Sequence, residues 1–186
     1  LDHEQVYKNL LDRDQLDAFV QEAHHEQIDT AFVSLDNIKR SSSNDVTVME
    51  EAMHSFGAVL PELDQFFAEE QEIYQALAFF DQTYDGKFSS YDKIRFVRWH
   101  ENSVDVVPKN GSKAATILHL AEQVGIPHED IISFGDGQND REMLRMSGIG
   151  IAMGNAVPEV QAEAKMVTDT NDQDGIWKAL KELSVI

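Results

Sequence analysis

The sequence predicts an α/β protein in two parts. Three observations carry that prediction. From Gly111 onward, short apolar runs alternate with stretches of helical periodicity, the pattern of a parallel, doubly wound sheet. Before that point, strand-like and helix-like segments alternate less regularly, as in a separate α+β unit. The charge divides in the same place: of the net −19, residues 1–106 hold 8 Lys+Arg against 22 Asp+Glu, and residues 107–186 hold 7 against 12. The boundary is placed at residues 105–109, giving domains 1–105 and 106–186.

In chain order, residues 5–9 read as a short strand. Residues 12–25 read as an amphipathic helix, with Leu16, Phe19, Val20 and Ala23 on one face. Residues 31–35 (AFVSL) read as a strand, and residues 46–56 as a helix with Met49, Ala52, Met53 and Phe56 in register. Residues 72–80 contain IYQALAFF, which fits a buried strand or a short helix; the turn-like residues 81–86 favour the strand. Residues 94–99 (IRFVRW) alternate as a strand, followed by another at 104–107. Ser112 can cap a helix that Gly125 and Pro127 end near residue 124. Strands are expected at 131–134, 149–153 and 166–168. Helices are expected at 140–146, at 158–164 with Pro158 in its first turn, and at 175–183.

The bulk properties exclude several classes. Hydrophobic residues make up 42% of the chain, which argues against wholesale disorder. There is no cysteine, so disulfides and thiolate metal sites are ruled out, and the chain suits a reducing cytoplasm. The acidic surface disfavours nucleic acid. No apolar run reaches membrane-spanning length, and the polar first 17 residues do not resemble a signal peptide. The chain opens on Leu1 without an initiator Met, which suggests a fragment.

The chemistry concentrates after the strand at 131–134. There the sequence reads Gly135-Asp136-Gly137-Gln138-Asn139-Asp140. In parallel α/β sheets, ligands sit at the carboxyl ends of the strands. Two glycines allow a tight turn beside a ligand, and two carboxylates four residues apart can both face the strand ends. Hard oxygens there suit Mg2+, which keeps waters and shares phosphate ligands. The start of the following helix also offers N–H groups to an anion. A bare Gly-Asp-Gly would be only a turn, but the longer pattern, followed by GIGIAMGNA at 148–156, is far more specific.

GDGQNDREML together with GIGIAMGNA resembles the fourth motif of phosphatases of the haloacid dehalogenase (HAD) superfamily, in the form of the Cof-like branch with a type IIB cap. VVPKNGSK at 106–113 resembles that branch's lysine motif, and VTDTN with DGI at 167–176 its usual ending. The resemblance implies the second half of a Rossmann-like HAD core over 106–186 and an inserted α+β cap over 1–105. It implies an Mg2+-dependent phosphatase acting on a small phosphorylated metabolite through an aspartyl-phosphate. Lys113 would bind the phosphoryl group, with Lys109 a weaker candidate. Asp136 would ligate the metal, and Asn139 would hydrogen-bond the phosphate. Asp140 would orient a metal-bound water or Lys113, with direct ligation the second possibility. In the cap, Arg95, Arg98, Trp99 and His100 are candidates to reach a substrate, although packing on the sheet is the simpler reading of each.

The family's nucleophile belongs to an Asp-x-Asp motif directly after the first core strand. Asp12-Arg13-Asp14 follows no convincing strand and sits at a helix start; Asp172-Gln173-Asp174 is a loop and helix-start pair; the strand at 31–35 runs into Asp36 with no second Asp in place. None fits. The expectation is a C-terminal part whose parent is an enzyme and which alone is a poor phosphatase. The rival readings are a non-catalytic phosphate-binding or regulatory protein, a phosphoryl mutase of the same superfamily, and the phosphorylation domain of an ion pump.

Overall fold

The computed structural model describes residues 6–186. They form two compact units: Lys8–Gly111, and residues 6–7 together with Ser112–Ile186. The expected boundary at 105/106 falls inside a strand whose pairing keeps it in the first unit.

In the first unit, Asp12 caps α1 (Arg13–His25) by accepting from the Gln15 amide at 3.1 Å. Asp12 thus stands at a helix start, as expected, and serves there as a cap. Strands β1 (Asp29–Val33), β2 (Ile38–Arg40), β3 (Glu62–Leu63), β4 (Gln75–Phe79), β5 (Ile94–His100) and β6 (Ser103–Pro108) form one sheet in the order β3-β2-β1-β4-β6-β5. All neighbours are antiparallel except β2 and β3. Helix α2 (Val46–His54) and the short α3 (Phe67–Glu70) complete the unit.

The sheet is covered on both faces, because successive side chains of a strand point to opposite sides. On one face, Leu16, Phe19 and Ala23 of α1 pack with Phe32, Ala76, Ala78, Ile94, Val104 and Val106. Phe19, Phe88 and Phe96 make an aromatic cluster there, with centroids 5.1–5.3 Å apart. On the other face, Met49, Ala52 and Met53 of α2 pack on Ala31, Leu77 and Phe79. Central β4 is thus buried from both sides, and for that reason its sequence is a continuous apolar run rather than an alternating one.

The second unit is built on a parallel sheet, β7 (Ile132–Gly135), β8 (Ile149–Ala152) and β9 (Met166–Val167), in that order. Ser112 caps α4 (Lys113–Val124) through the Ala115 amide, and Gly125 ends it at φ 72°. Helices α5 (Arg141–Met146), α6 (Pro158–Gln161) and α7 (Gly175–Glu182) follow. Leu144, Ala152, Ala156 and Val160 form a small buried core. Among the described residues β7 pairs only with β8, and α4 leaves Leu118, Leu120 and Val124 exposed.

Several expectations are corrected. Residues 6–9 are not a strand, while residue 5 lies outside the described residues. There, the Tyr7 ring packs at a tilt against His119 and the Val6 carbonyl accepts from Gln123, and among the described residues no strand pairs with them. The helix expected at 158–164 stops at Gln161, and the one expected from residue 140 is preceded by a 3₁₀ turn at Gln138–Asp140. No helix among the described residues is long and apolar enough to cross a membrane.

Candidate active site

The site lies at the carboxyl end of β7, where the strand runs into the Gly-Asp-Gly loop. Asp140 organises it. Its carboxylate turns back under the loop, and Oδ2 accepts from the Asp136 and Gly137 amides at 3.0 Å each. Oδ1 accepts from Lys113 Nζ at 2.6 Å. The residue is only 4% exposed. A carboxylate so placed needs all three partners to offset its desolvation. Burial pushes its pKa up, but the Lys113 hydrogen bond and the two amides outweigh that, and the group is held below the ordinary carboxylate value.

The glycines make this approach possible. A Cβ on Gly135 would lie 2.5 Å from the Asp140 Cβ and 2.9 Å from its Cγ. On Gly137 it would lie 2.6 Å from Asn139 Oδ1. The loop therefore folds onto its own side chains, and any larger residue would push Asp140 or Asn139 away.

Lys113 opens α4, a poor place for a cation beside the helix dipole. The Asp140 carboxylate compensates, and the Lys113 side chain stays half exposed. Asp136 is exposed at the tip of the loop. One of its oxygens, Oδ2, accepts from Asn155 Nδ2 at 2.9 Å. Among the described residues Oδ1 accepts nothing. Asn139 is exposed in the 3₁₀ turn, and its amide donors are likewise without partners among the described residues. Lys113, Asp136, Asn139 and Asp140 thus belong to one unit, with Lys113 and the Asp136 amide both on the Asp140 carboxylate.

The amides of Asp136 and Gly137, just ahead of the helix start, both donate to Asp140 and are not offered to an outside anion. Both Asp140 oxygens are thereby engaged. Asn155 was unassigned by sequence reasoning, although it stands in the quoted GIGIAMGNA run.

In the other unit, Arg98 is committed to its own scaffold. Its guanidinium donates to the carbonyls of Phe80, Asp81, His100 and Glu101, and to Asp85 at 2.6 Å. It also lies over the Phe80 ring. His100 Nδ1 accepts from the Asn102 amide at 3.2 Å. Arg95 donates to the Gly111 carbonyl at 2.6 Å, and Trp99 packs edge-on against Phe56. Asp172 and Asp174, the other rejected acidic pair, lie in a 3₁₀ turn and at the start of α7.

The carboxyl end of this parallel sheet presents a buried carboxylate paired with a half-exposed lysine, beside an exposed Asp, in an α/β protein. A family model described as haloacid dehalogenase-like hydrolase matches residues 1–180. The Bacillus subtilis (strain 168) protein YkrA, whose name marks it as a candidate phosphatase, is 36% identical over 181 residues, covering 97% of this chain and 70% of its own. Among solved structures, BT1666 from Bacteroides thetaiotaomicron, described among phosphatases of the HAD superfamily, is 28% identical with a TM-score of 0.89, over 100% of this chain and 69% of that one. BT4131, described as a HAD subclass IIB sugar phosphatase, is 29% identical with a TM-score of 0.85, over 100% and 72%. The chain belongs to the haloacid dehalogenase-like hydrolases, in their Cof-like, subclass IIB branch.

Proposed function

We propose that this chain is part of an Mg2+-dependent phosphomonoesterase that acts on a small phosphorylated metabolite through an aspartyl-phosphate. The observation that carries the reading is the Lys113–Asp140 pair beside the free Asp136 oxygen at the end of β7. Residues 106–186 would be the second half of the core and residues 1–105 its cap. A cysteine-free chain fits a cytoplasmic setting.

The residues present suit magnesium. No cluster of three or more His, Cys, Asp or Glu side chains able to hold a metal occurs among the described residues. Asp136 Oδ1 would be the protein ligand offered here. Mg2+ is commonly bound by one or two carboxylates, with waters and a phosphate oxygen completing its shell. When bound, the ion supplies positive charge to the phosphoryl oxygens. Lys113 would place its ammonium against another of those oxygens, where a fixed cation stabilises charge developing in the transition state. Asn139 would donate its amide to the same group. Asp140 would hold Lys113 in place and stay ionised.

The covalent step needs a carboxylate nucleophile, and no Asp-x-Asp here follows a core strand. The nucleophile would come from outside residues 1–186. The partial coverage of YkrA, the side of β7 that pairs with no strand among the described residues, and the exposed Leu120 and Val124 of α4 support that reading. The same absence favours a second reading, a protein that binds phosphate without turning it over.

Hydrolysis of 4-nitrophenyl phosphate and a panel of phosphorylated metabolites should be assayed with Mg2+, in the 186-residue chain and in the full product of its gene. Turnover is expected in the full product only. Lys113→Met and Asp136→Asn should each lower it by roughly 10²-fold or more. Full-rate hydrolysis by the 186-residue chain would overturn the assignment of the nucleophile. Phosphate binding without turnover in the full product would establish the second reading.

A further inference from the structure

We infer that Asn155 is a positioning residue for the metal-binding carboxylate, and that it fixes which oxygen of Asp136 is available to the ion. This rests on the reading of Asp136 as a metal ligand and adds to it a residue from the loop after a different strand.

Asn155 follows β8, 19 positions from Asp136. It donates from Nδ2 to Asp136 Oδ2 at 2.9 Å, while its Oδ1 accepts from the Asn171 amide at 3.2 Å. The two bonds define its orientation. A flipped amide would set oxygen against carboxylate oxygen and N–H against N–H, so only one arrangement satisfies both neighbours. Neither a leucine nor an aspartate could reproduce the pair, since one has no polar atoms and the ionised other cannot donate.

The loop carrying Asn155 is held firmly. The Met153 amide donates to the Gly135 carbonyl at 2.9 Å, and the Gly154 amide to the Asp169 carbonyl at 3.1 Å. Gln161 Nε2 donates to the Ala156 carbonyl at 3.0 Å. A Cβ on Gly154 would lie 2.9 Å from backbone atoms of residues 168–170, so the two loops approach as closely as glycine permits. Asn155 is exposed in spite of this bracing. An exposed asparagine held by a rigid loop against an exposed carboxylate is unnecessary for the core. It restricts rotation of the Asp136 carboxylate and leaves Oδ1 unencumbered. A metal ligand held by a hydrogen bond to its other oxygen is preorganised, and loss of such a partner typically weakens metal binding by about 10–100-fold.

The test is an Mg2+ titration of the full product of the gene, followed by the ¹H–¹⁵N shifts of Gly135, Asp136 and Gly137. We expect saturable shifts in the wild type and none in Asp136→Asn. Asn155→Ala should weaken the apparent affinity by about 10–100-fold, with the metal-free shifts of β7 and β8 residues unchanged. Should alanine disturb the metal-free spectrum, Asn155→Ser is the variant to read. Affinity within twofold of wild type in the asparagine variants, with Asp136→Asn silent, would overturn the role of Asn155 alone. Absence of saturable shifts in the wild type, or their persistence in Asp136→Asn, would overturn the reading of Asp136 and this inference with it.

Discussion

Replacing Asp140 by alanine removes the acceptor that holds the site loop in shape. Three donors lose their partner: the Asp136 and Gly137 amides at 3.0 Å and the Lys113 ammonium at 2.6 Å. Hydrogen bonds to a charged group contribute about 1.5–3 kcal/mol each. The two amides sit on an exposed and a half-buried residue, so water can partly replace the carboxylate and the low end applies. The ammonium is half exposed, so its share is about 1 kcal/mol or less. The expected loss is about 3–4 kcal/mol, a large part of a typical stability of roughly 5–15 kcal/mol. Urea unfolding followed by circular dichroism should show the midpoint falling by about 1.5–2 M for an m-value near 2 kcal/mol/M. Lys113→Met alone should cost about 1 kcal/mol. In the double variant the lysine change should add nothing, because its partner is already gone. A loss below about 1 kcal/mol for Asp140→Ala, or strict additivity in the double variant, would refute the reasoning.

Acid should erase the same contribution. The folded-state pKa of Asp140 is depressed, so its stabilisation is complete above the unfolded carboxylate value of about 3.9 and is lost as pH falls through the lower folded value. The stability gap between wild type and Asp140→Ala should be flat from about pH 8 to 5 and close below about pH 4; a gap that widens on acidification contradicts this. Gly135→Ala places a methyl 2.5 Å from the Asp140 Cβ, and thermal unfolding should report a loss of about 1–3 kcal/mol together with shifted Asp136 and Gly137 amides. Arg98→Met strips donors from four carbonyls and from Asp85 and should destabilise the Lys8–Gly111 unit by about 2–3 kcal/mol. Arg98→Lys should not restore it, because an ammonium lacks the guanidinium's planar fork.

Where local chemistry decides structure, the sequence was readable. Ser112 and Gly125 bracket α4 as a cap and a left-handed terminus should, and Asp12 does the same at the start of α1. The parallel second half followed from its alternating pattern. The elements that escaped were β2, β3 and α3, of three, two and four residues. Lys39 and Arg40 in β2 carry no apolar pattern, and they are strand because β1 and β3 pair with them. Residues 6–9, expected as part of a strand, pair with no strand among the described residues. In the site, Asp136, Asn139, Asp140 and Lys113 were visible as motif residues, whereas the engagement of both Asp140 oxygens was not. Asn155 was invisible for a topological reason. Gly135 of β7 pairs with Ala152 of β8 in parallel register, and only that pairing brings the loops after both strands side by side.

The burial of β4 from both faces has a consequence outside the native state. Residues 73–80 (IYQALAFF) carry no charge and no proline, and such segments stack readily with copies of themselves once exposed. In the folded chain the hazard is contained, because β1 and β6 cover both edges of the strand and helices cover its faces. The neighbouring sequence adds protection, with Glu69, Glu70 and Glu72 on one side and Asp81 and Asp85 on the other acting as charged gatekeepers. Preparations in which this unit opens transiently should aggregate through β4, so solution conditions that keep those acidic flanks ionised are the ones under which the protein should stay dispersed.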